Sequence, residues 1–507
     1  MVTCQLIESR NPKHSTGTTM AKRLRLLEDL PAHESAAWHI SWNPVFPILA
    51  SCSTDKHVRL FHFAPSSAEG QPPRFRLADT LNTGHRRTVR QIEWATNGRL
   101  FATASFDATI GIWEKVTPAD RHHEHDHDEH DHDHDHDHAH DEDAEPESEW
   151  DCVGTLEGHD SECKSIAFSP TSHLLASCSR DKSVWIWECI QPPPPESLPA
   201  WKRAMHEQTD SPEFECLSVQ MSHSQDVKKV KFHPDPAREL LVSASYDDSI
   251  KFFRDDPSDD WYCARTLNDA HKGTVWDIVF SPCGRWLASC SDDSEVHLWR
   301  DVGPLAPEQK AAKKAAAANG SDANEGEAGA AGDEKWVLVG KIQGFHSRTI
   351  YALDWSVDPA SDSPRTHSLG RLASAGGDGK INVFEMTAPE SPWDPTSPIS
   401  SPAVLCPSHN LLASLSSAHG VADINSIAFA PTPSQYSAHQ QQAQQQQERF
   451  QEVNEAEESL RKSMGSNLLA SCADDGSVRV WVLPGSEWYS TNGKDVGPEG
   501  EVLSVQA

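Results

Sequence analysis

The sequence lacks the features that mark several classes of protein. No run of eighteen apolar residues occurs among its 507 residues, and the stretch MVTCQLIESRNPKHSTGTTM has no apolar segment of the kind that a secretory signal contains. The twelve cysteines include no CxxC pair, and we find no phosphate-binding loop and no nucleophile motif. A net charge of −32 leaves no cationic excess for nucleic acid or an anionic membrane. We therefore expect a protein that is not an enzyme, holds no cofactor and no metal, and binds neither nucleic acid nor membrane. The expected location is the cytoplasm, with the nucleus left open as a second one.

What the sequence does contain is an internal repeat. Residues 158–188, GHDSECKSIAFSPTSHLLASCSRDKSVWIWE, alternate apolar and polar residues between short turns, which indicates β-strands. In seven repeats a turn aspartate precedes an aromatic residue by six positions: Asp55/Phe61, Asp107/Trp113, Asp181/Trp187, Asp247/Phe253, Asp293/Trp299, Asp378/Phe384 and Asp475/Trp481. A histidine stands twenty-two positions before the aspartate in four repeats and further away in three: His33, His85, His159 and His271, then His223, His346 and His419.

These residues resemble the WD repeat, in which His, Ser or Thr, Asp and Trp form a buried hydrogen-bonded network in each blade. A buried carboxylate needs hydrogen-bond donors, which the histidine and the hydroxyl supply. Because the same set of residues occurs seven times, we interpret it as structural and not as catalytic. The predicted networks include His85, Asp107, Trp113, His159, Asp181, Trp187, His271, Asp293 and Trp299. Four cysteines at one repeat position are predicted to be buried and unpaired, which suits a reducing compartment: Cys52, Cys178, Cys290 and Cys472.

The predicted fold is all-β, a seven-bladed WD-repeat β-propeller over residues 21–485 with disordered insertions. The blades are expected near 31–63, 81–115, 156–188, 218–255, 267–300, 342–385 and 416–483. The last blade lacks an outer strand, which we expect Lys22–Leu27 to supply, so that the ring closes without a free edge. Residues 1–20 are expected to be disordered, and residues 486–507 to form a C-terminal tail.

Low-complexity insertions account for the length beyond seven repeats. They are Pro65–Asp79, a His/Asp-rich tract at 117–149, a Pro-rich run at 191–200, an Ala/Lys/Gly-rich stretch at 303–334, a Ser/Pro stretch at 387–404 and a Gln-rich segment at 433–464. Nearly all follow the third strand of a blade, and the Gln-rich segment follows a first strand. In an antiparallel blade these two connections emerge on one side of the ring. We therefore predict a crowded insertion face and an opposite clear face that is open to a partner.

Two positions in each blade are predicted to point at the clear face. The residue before the turn aspartate is Thr54, Phe106, Arg180, Tyr246, Asp292, Gly377 or Asp474. The residue near the start of the innermost strand is Trp38, Arg90, Lys164, Lys228, Trp276, Tyr351 or Asn425. From these sets we predict a partner-binding face formed by Arg180, Arg90, Lys164, Lys228, Phe106, Tyr246, Trp276, Tyr351 and Trp38. It suits an acidic peptide with an aromatic side chain, or a free C-terminal carboxylate, unless the cations pair with neighbouring acids instead.

Several stretches resemble one family of WD-repeat propellers more closely than WD repeats in general. They include SRDKSVWIWE (179–188), HSQDVKKVKFHP (223–234), LASCSDDSEVHLWR (287–300) and GFHSRTIYALDW (344–355). They resemble the cytosolic iron–sulfur protein assembly propeller, in a fungal-like version with long insertions. The resemblance implies a scaffold of the iron–sulfur targeting complex. Its partners would be a small α/β protein, a helical-repeat scaffold, an iron-only-hydrogenase-like carrier and apoprotein clients that receive the cluster.

The resemblance also implies a ligand and carries one departure. Many clients or adaptors of this family end in a short tail of hydrophobic, acidic and aromatic residues, which would match the predicted face. Animal relatives carry Leu-Tyr-Arg, suggested to recognise a cochaperone, where this chain has Phe252-Phe253-Arg254. This chain therefore departs from the animal relatives at the tripeptide that is suggested to recognise the cochaperone.

Two other functions fit the sequence. A WD-repeat adaptor of another complex, such as a ubiquitin-ligase substrate receptor or a chromatin adaptor, shares the fold, because propellers host many functions. A metal-handling role would use the tract HHEHDHDEHDHDHDHDHAHD, which has ten histidines. Such an alternating run binds transition metals loosely, without the fixed geometry of a structural or catalytic site.

Overall fold

Within the residues that the structure describes, twenty-eight β-strands form seven four-stranded antiparallel sheets. The structure is a computed structural model, and it describes residues 22–64, 72–115, 150–190, 212–256, 260–303, 334–357, 367–389, 402–431 and 467–485. The innermost strands of neighbouring sheets contact each other in a closed ring around a central channel. This arrangement confirms the seven-bladed propeller. In the described ranges, none of the helical segments has the length and apolar character needed to cross a bilayer.

Each blade uses four strands, which run from the channel to the rim. The innermost strands are β2 (Ala37–Trp42), β6 (Val89–Trp94), β10 (Cys163–Phe168), β14 (Val227–Phe232), β18 (Val275–Phe280), β22 (Ile350–Ser356) and β26 (Ile424–Phe429). The second strands are β3 (Ile48–Ser53), β7 (Leu100–Ser105), β11 (Leu174–Ser179), β15 (Leu240–Ser245), β19 (Trp286–Ser291), β23 (Ser368–Gly376) and β27 (Leu468–Ala473).

The two outer positions complete each sheet. The third strands are β4 (His57–Ala64), β8 (Ile110–Lys115), β12 (Val184–Ile190), β16 (Ile250–Arg254), β20 (Val296–Asp301), β24 (Ile381–Thr387) and β28 (Val478–Val482). The outer strands are β5 (Arg74–Asn82), β9 (Trp150–Leu156), β13 (Glu213–Gln220), β17 (Tyr262–Leu267), β21 (Trp336–Ile342), β25 (Ser408–Leu415) and, in the seventh blade, β1 (Arg25–Leu30).

The second strands are buried on both faces because a neighbouring blade covers each side. In β11, LLASCS, all six residues are buried. Small Ala, Ser and Cys side chains let the blades approach closely, and the apolar core divides into seven clusters, one at each junction between blades. The four repeat cysteines lie in these strands without exposure, and burial raises the pKa of the Cys52 thiol far above its usual value.

The N-terminal strand closes the ring, but it begins later than the sequence indicated. We expected Lys22–Leu27, whereas the strand is Arg25–Leu30, paired antiparallel with β28. The partner strand ends at Val482, which pairs with Arg25, so residues before Arg25 have no partner in this ladder. Lys22 instead makes an isolated bridge to Ala413 of the sixth blade.

The connections sort by face as predicted. Every internal gap in the described ranges falls between a first and a second strand or between a third and an outer strand. The connections on the clear face are all described. Two predicted insertions are shorter than expected. Strand β5, Arg74–Asn82, begins within the expected Pro65–Asp79, and a 3-10 turn at Pro402–Leu405 begins within the expected 387–404. Residues 1–20, the tail 486–507, the His/Asp tract and most of the other predicted insertions lie outside the described residues.

Candidate partner-binding face

A network of hydrogen bonds ties the clear-face loops of each blade to its core. In blade 3, Trp187 Nε1 donates to Ser177 Oγ (3.0 Å), and His159 Nε2 lies 2.9 Å from the same oxygen. His159 Nδ1 lies 2.8 Å from Asp181 Oδ2, which also accepts from the backbone N–H of Asp160. Equivalent bonds join the other predicted networks: His85, Asp107, Trp113, His271, Asp293 and Trp299. Because the aspartate lies in the turn between the second and third strands, each network also fixes the turn residue before it, such as Arg180.

The networks keep their aspartates ionised. Partial burial by itself raises the pKa of Asp293, but the hydrogen bond and charge of His271 outweigh it and bring the pKa to about 2. The balance in blade 6 is the same, where His346 brings the pKa of Asp378 to about 2. An ionised acceptor makes the histidine hydrogen bond stronger than a neutral one.

One group in blade 5 has the composition of a metal site. Ligand atoms of His271, Asp293 and His297 lie within 4.8 Å of one another. Both ring nitrogens of His271 already bond to Asp293 and Ser289. His297 Nδ1 lies 2.7 Å from Ala270 O, and its Nε2 lies 2.9 Å from a Glu295 carboxylate oxygen. An ion would have to displace these partners, so we assign the group to the structural network of the blade.

A β-bulge at the start of every innermost strand creates the candidate face. The ladder between the first and second strands skips one residue in each blade. A bulge of this kind leaves one residue unpaired and re-aims its side chain. The skipped residues are Trp38, Arg90, Lys164, Lys228, Trp276, Tyr351 and Asn425. They therefore share one structural position around the clear-face mouth of the channel.

The first contact group joins blades 1 to 3. The guanidinium carbon of Arg90 lies 4.9 Å from the ring centroid of Trp38, and Lys164 Nζ lies 4.1 Å from that of Phe106. The centroids of the two aromatic rings are 6.3 Å apart. Cations at such distances over ring faces are attracted by the ring quadrupole.

The second contact group joins blades 4 to 6. Lys228 Nζ lies 5.3 Å from the ring centroid of Tyr246 and 5.1 Å from that of Trp276. Trp276 in turn meets Tyr351 edge to face, with centroids 5.1 Å apart. Tyr246 is half exposed, so this group presents an aromatic surface to solvent.

Two acids that the sequence reasoning left out lie among these cations. Glu162 accepts a hydrogen bond from Lys164 and one from Arg87 (3.0 Å), and it lies 3.6 Å from the Arg180 guanidinium. Partial burial raises the pKa of Glu162, but the hydrogen bond and charge of Lys164 outweigh it, and the pKa falls below its ordinary value. Asp226 and Lys228 pair in the same way at 3.2 Å. The sequence contained a signal for these two ion pairs, because each acid precedes the bulged lysine by two residues.

The charge of the face is uneven as a result. Around the mouth in blades 2 to 4, five cations meet two acids: Arg87, Arg90, Lys164, Arg180 and Lys228 against Glu162 and Asp226. In blades 5 to 7 the positions that correspond to Arg180 hold Asp292, Gly377 and Asp474. The one arginine at the described clear-face positions of these blades is Arg348, which stands at the position of Arg87 and lies 3.3 Å from Asp423. Asp292 accepts from Trp276 Nε1 at 2.7 Å, and the Asn425 amide donates to Asp474 at 2.8 Å. Gly377 has no side chain that could contact a partner.

The tripeptide Phe252-Phe253-Arg254 does not form a surface motif. Both phenylalanines are fully buried in the core between blades. Arg254 forms an ion pair with Glu334 at 3.3 Å. Direct recognition of this segment would therefore be limited to the arginine.

The seven sheets, with a His–Asp–aromatic set in each, define the chain as a WD-repeat propeller. The family model described as "WD domain, G-beta repeat" matches residues 24–62, 77–114, 150–188, 214–254, 261–300 and 458–482. These matches leave out the sixth blade, which the structure contains.

Similarity to curated proteins narrows this class to one family. The chain is 43% identical over 485 residues to a probable cytosolic iron-sulfur protein assembly protein 1 of Mycosarcoma maydis, covering 94% of this chain and 97% of that protein. Proteins of the same name from Cryptococcus neoformans var. neoformans and Aspergillus flavus are 35% and 31% identical, covering 90% and 91% of this chain and 98% of each relative. The chain belongs to the family of cytosolic iron–sulfur protein assembly protein 1.

Proposed function

We propose that the protein is a non-catalytic scaffold of cytosolic iron–sulfur protein assembly, and that its clear face binds partner proteins. The names of its relatives support a role in this assembly process and a cytoplasmic location. The proposed partners are the targeting-complex proteins and apoprotein clients that the family resemblance implies. The recognised element is an acidic peptide segment that also carries an aromatic side chain.

The observation that carries this proposal is the unpaired charge of Arg90. Among the described residues, its guanidinium contacts the Trp38 ring and forms no ion pair with a carboxylate. The two neighbouring lysines, by contrast, each have an acid beside them. A carboxylate that enters the mouth would thus meet an arginine already held in place, and arginine binds carboxylates in a planar, two-bonded arrangement.

The aromatic groups beside Arg90 supply the second part of the ligand chemistry. A lysine lies near the ring of Phe106 and another near the ring of Tyr246, and both aromatic side chains are partly exposed. Aromatic and arginine residues are the types that contribute most energy at protein interfaces. A peptide with an acidic group next to an aromatic side chain matches both features at once.

Affinity purification of the tagged full-length protein, followed by mass spectrometry, tests the proposal. We expect the wild type to recover proteins of iron–sulfur assembly and Arg180→Glu to lose them. Arg348→Glu is the matched control, because Arg348 has a similarly exposed side chain (61% against 58%) but lies beside Asp423 in the acidic half. Recovery of ubiquitin-ligase or chromatin subunits alone, or equal loss in both variants, would overturn the proposal. Deletion of residues 122–140 should leave recovery unchanged, because the His tract has no role in this scheme.

A further inference from the structure

A pocket on the insertion face lies at the ends of four innermost strands. Its volume is about 200 Å³, and its aromatic lining consists of the last residues of β2, β6, β10 and β14. These residues are Trp42, Trp94, Phe168 and Phe232. The cavity is smaller than the roughly 300–1,000 Å³ of ordinary small-molecule sites, so it fits a single side chain.

The indole N–H groups of the two tryptophans are already used in hydrogen bonds. Trp42 Nε1 donates to Ala428 O (3.0 Å), and Trp94 Nε1 donates to Ser41 O (3.1 Å). Among the described residues that line the pocket, the other polar side chains are hydroxyls, and Glu93 is the one that carries a charge. Four ring systems around one carboxylate form a site for a cation.

Glu93 retains capacity for a second cation. Its Oε1 lies 3.0 Å from Lys231 Nζ, whereas its Oε2 has only a long contact (3.5 Å) with the side-chain amide of Gln91. The side chain of Glu93 is 18% exposed, so an incoming group can reach it.

The cations and carboxylates behind the pocket are equal in number. Lys229 pairs with Asp277 at 3.4 Å, and Lys231 pairs with Glu93. Among the described residues, no lysine forms an ion pair with Asp354. Its carboxylate accepts hydrogen bonds from the backbone N–H groups of Phe429 (2.6 Å) and Trp355 (2.9 Å). Arg90 supplies the third cation of this set, because its charge is felt by Asp277. The feature that remains open to a further cation is therefore the free oxygen of Glu93.

We propose that this pocket receives the guanidinium of an arginine from a partner protein that docks on the insertion face. Arginine fits better than lysine because its plane stacks on aromatic rings while its donors reach the free oxygen of a carboxylate. The site has a chemistry opposite to that of the clear face, so the two faces would hold different partners at once. This inference goes beyond the proposed function and does not depend on it.

Binding of N-acetyl-arginine amide to the full chain, followed by saturation-transfer NMR, tests the proposal. The matched probe is N-acetyl-citrulline amide, which has the same shape without the charge. We expect millimolar binding of the arginine probe and at least tenfold weaker binding of the citrulline probe. Glu93→Gln should weaken arginine binding at least tenfold, whereas Glu295→Gln, on blade 5, should leave it unchanged.

A second variant keeps the test decisive if Glu93→Gln fails to fold. Phe168→Leu keeps an apolar residue of similar size, which cores tolerate, and removes one ring face, so binding should weaken about two- to fivefold. Equal binding of the two probes, or unchanged binding in both pocket variants, would overturn the proposal. Binding that appears only after Arg449→Gln and Arg461→Gln, in the segment between β26 and β27, would also overturn it, because the chain's own arginine would then be the occupant.

Discussion

The guanidinium of Arg90 lies over the ring of Trp38, 4.9 Å from its centroid, although the two residues belong to different blades. Both occupy the skipped position of a β-bulge, and consecutive bulges around the ring bring them together. Burial lowers the pKa of Arg90, so its charge is held at a cost that a bound carboxylate would relieve. The bulges of the ring therefore position the pair of residues at which we propose that the ligand binds.

Replacement of Arg90 by methionine should weaken peptide binding without unfolding the protein. Loss of a charged hydrogen bond costs about 1.5–3 kcal/mol, so we expect a decrease in affinity of at least tenfold. The measurement is fluorescence anisotropy with a labelled peptide that ends in a hydrophobic, an acidic and an aromatic residue. Arg348→Met should bind as the wild type does. A peptide that binds Arg90→Met with unchanged affinity would exclude this arginine from the site.

Asp293→Asn should destabilise the propeller through its network. The amide cannot replace the ionised acceptor of the His271 hydrogen bond, and a lost bond of this kind costs about 1–3 kcal/mol of unfolding free energy. Urea unfolding followed by tryptophan fluorescence measures the change. Asp269→Asn is the control, because Asp269 is exposed and has a φ of 50°, which asparagine tolerates; it should stay within about 0.5 kcal/mol of wild type.

His39 should make the folded state sensitive to acid. Burial, together with the charges of Lys229, Lys231 and Arg90, places the pKa of His39 well below its ordinary value, and its Nδ1 has no hydrogen-bond partner. The unfolded chain therefore binds a proton below pH 6.5 that the folded chain does not, so stability falls as the pH decreases through 6.5. In His39→Gln the decrease in unfolding free energy between pH 6.5 and pH 5.5 should be smaller than in the wild type by about 1 kcal/mol.

The acid sensitivity is measured by urea unfolding at pH 7.5, 6.5 and 5.5. His173→Gln is the control, since the side chain of this histidine is 45% exposed. The same pH dependence in wild type and His39→Gln would contradict the assignment.

Gly376→Ser should be destabilising although it restores the residue that most blades carry. The equivalent positions hold serine in blades 1 to 5, at Ser53, Ser105, Ser179, Ser245 and Ser291. In blade 6 a Cβ at Gly376 would lie 2.1 Å from Thr349 O, so the backbone must shift, at a cost of about 1–3 kcal/mol. Thermal unfolding detects this loss. Ala473→Ser is the control in blade 7, because that residue already carries a Cβ, and it should lose less.

Leu26→Ala should weaken closure of the ring. Leu26 is buried and pairs with Trp481 across the ladder between β1 and β28. Truncation of a buried leucine to alanine costs about 2–5 kcal/mol. The neighbouring Leu27 is only partly buried, so Leu27→Ala should cost less in the same denaturant titration. Equal losses in the two variants would contradict the described register.

The repeat predicts the fold well and the face only in part. The six-residue spacing between turn aspartate and aromatic residue counts the blades, because each pair sits in one sheet. The bulges at Arg90 and Lys164 were not predictable from this spacing, since a register shift appears only when two strands pair. Glu162 was missed although it stands two residues before Lys164, close enough for the two side chains to pair. The closing strand was misplaced by three residues because its end is set by Val482, which lies at the far end of the sequence.

The pairing of β1 with β28 has a consequence for protein synthesis. Strand β1 emerges from the ribosome first, and its partner emerges more than four hundred residues later. At translation rates of about 5–20 residues per second, the leucines of β1 wait for a partner for a time on the order of tens of seconds. Exposed apolar strands in nascent chains are substrates for chaperones and starting points for aggregation. A circularly permuted chain in which β1 directly followed β28 would have no such interval, and each of its seven blades would be complete as soon as its last strand had been made.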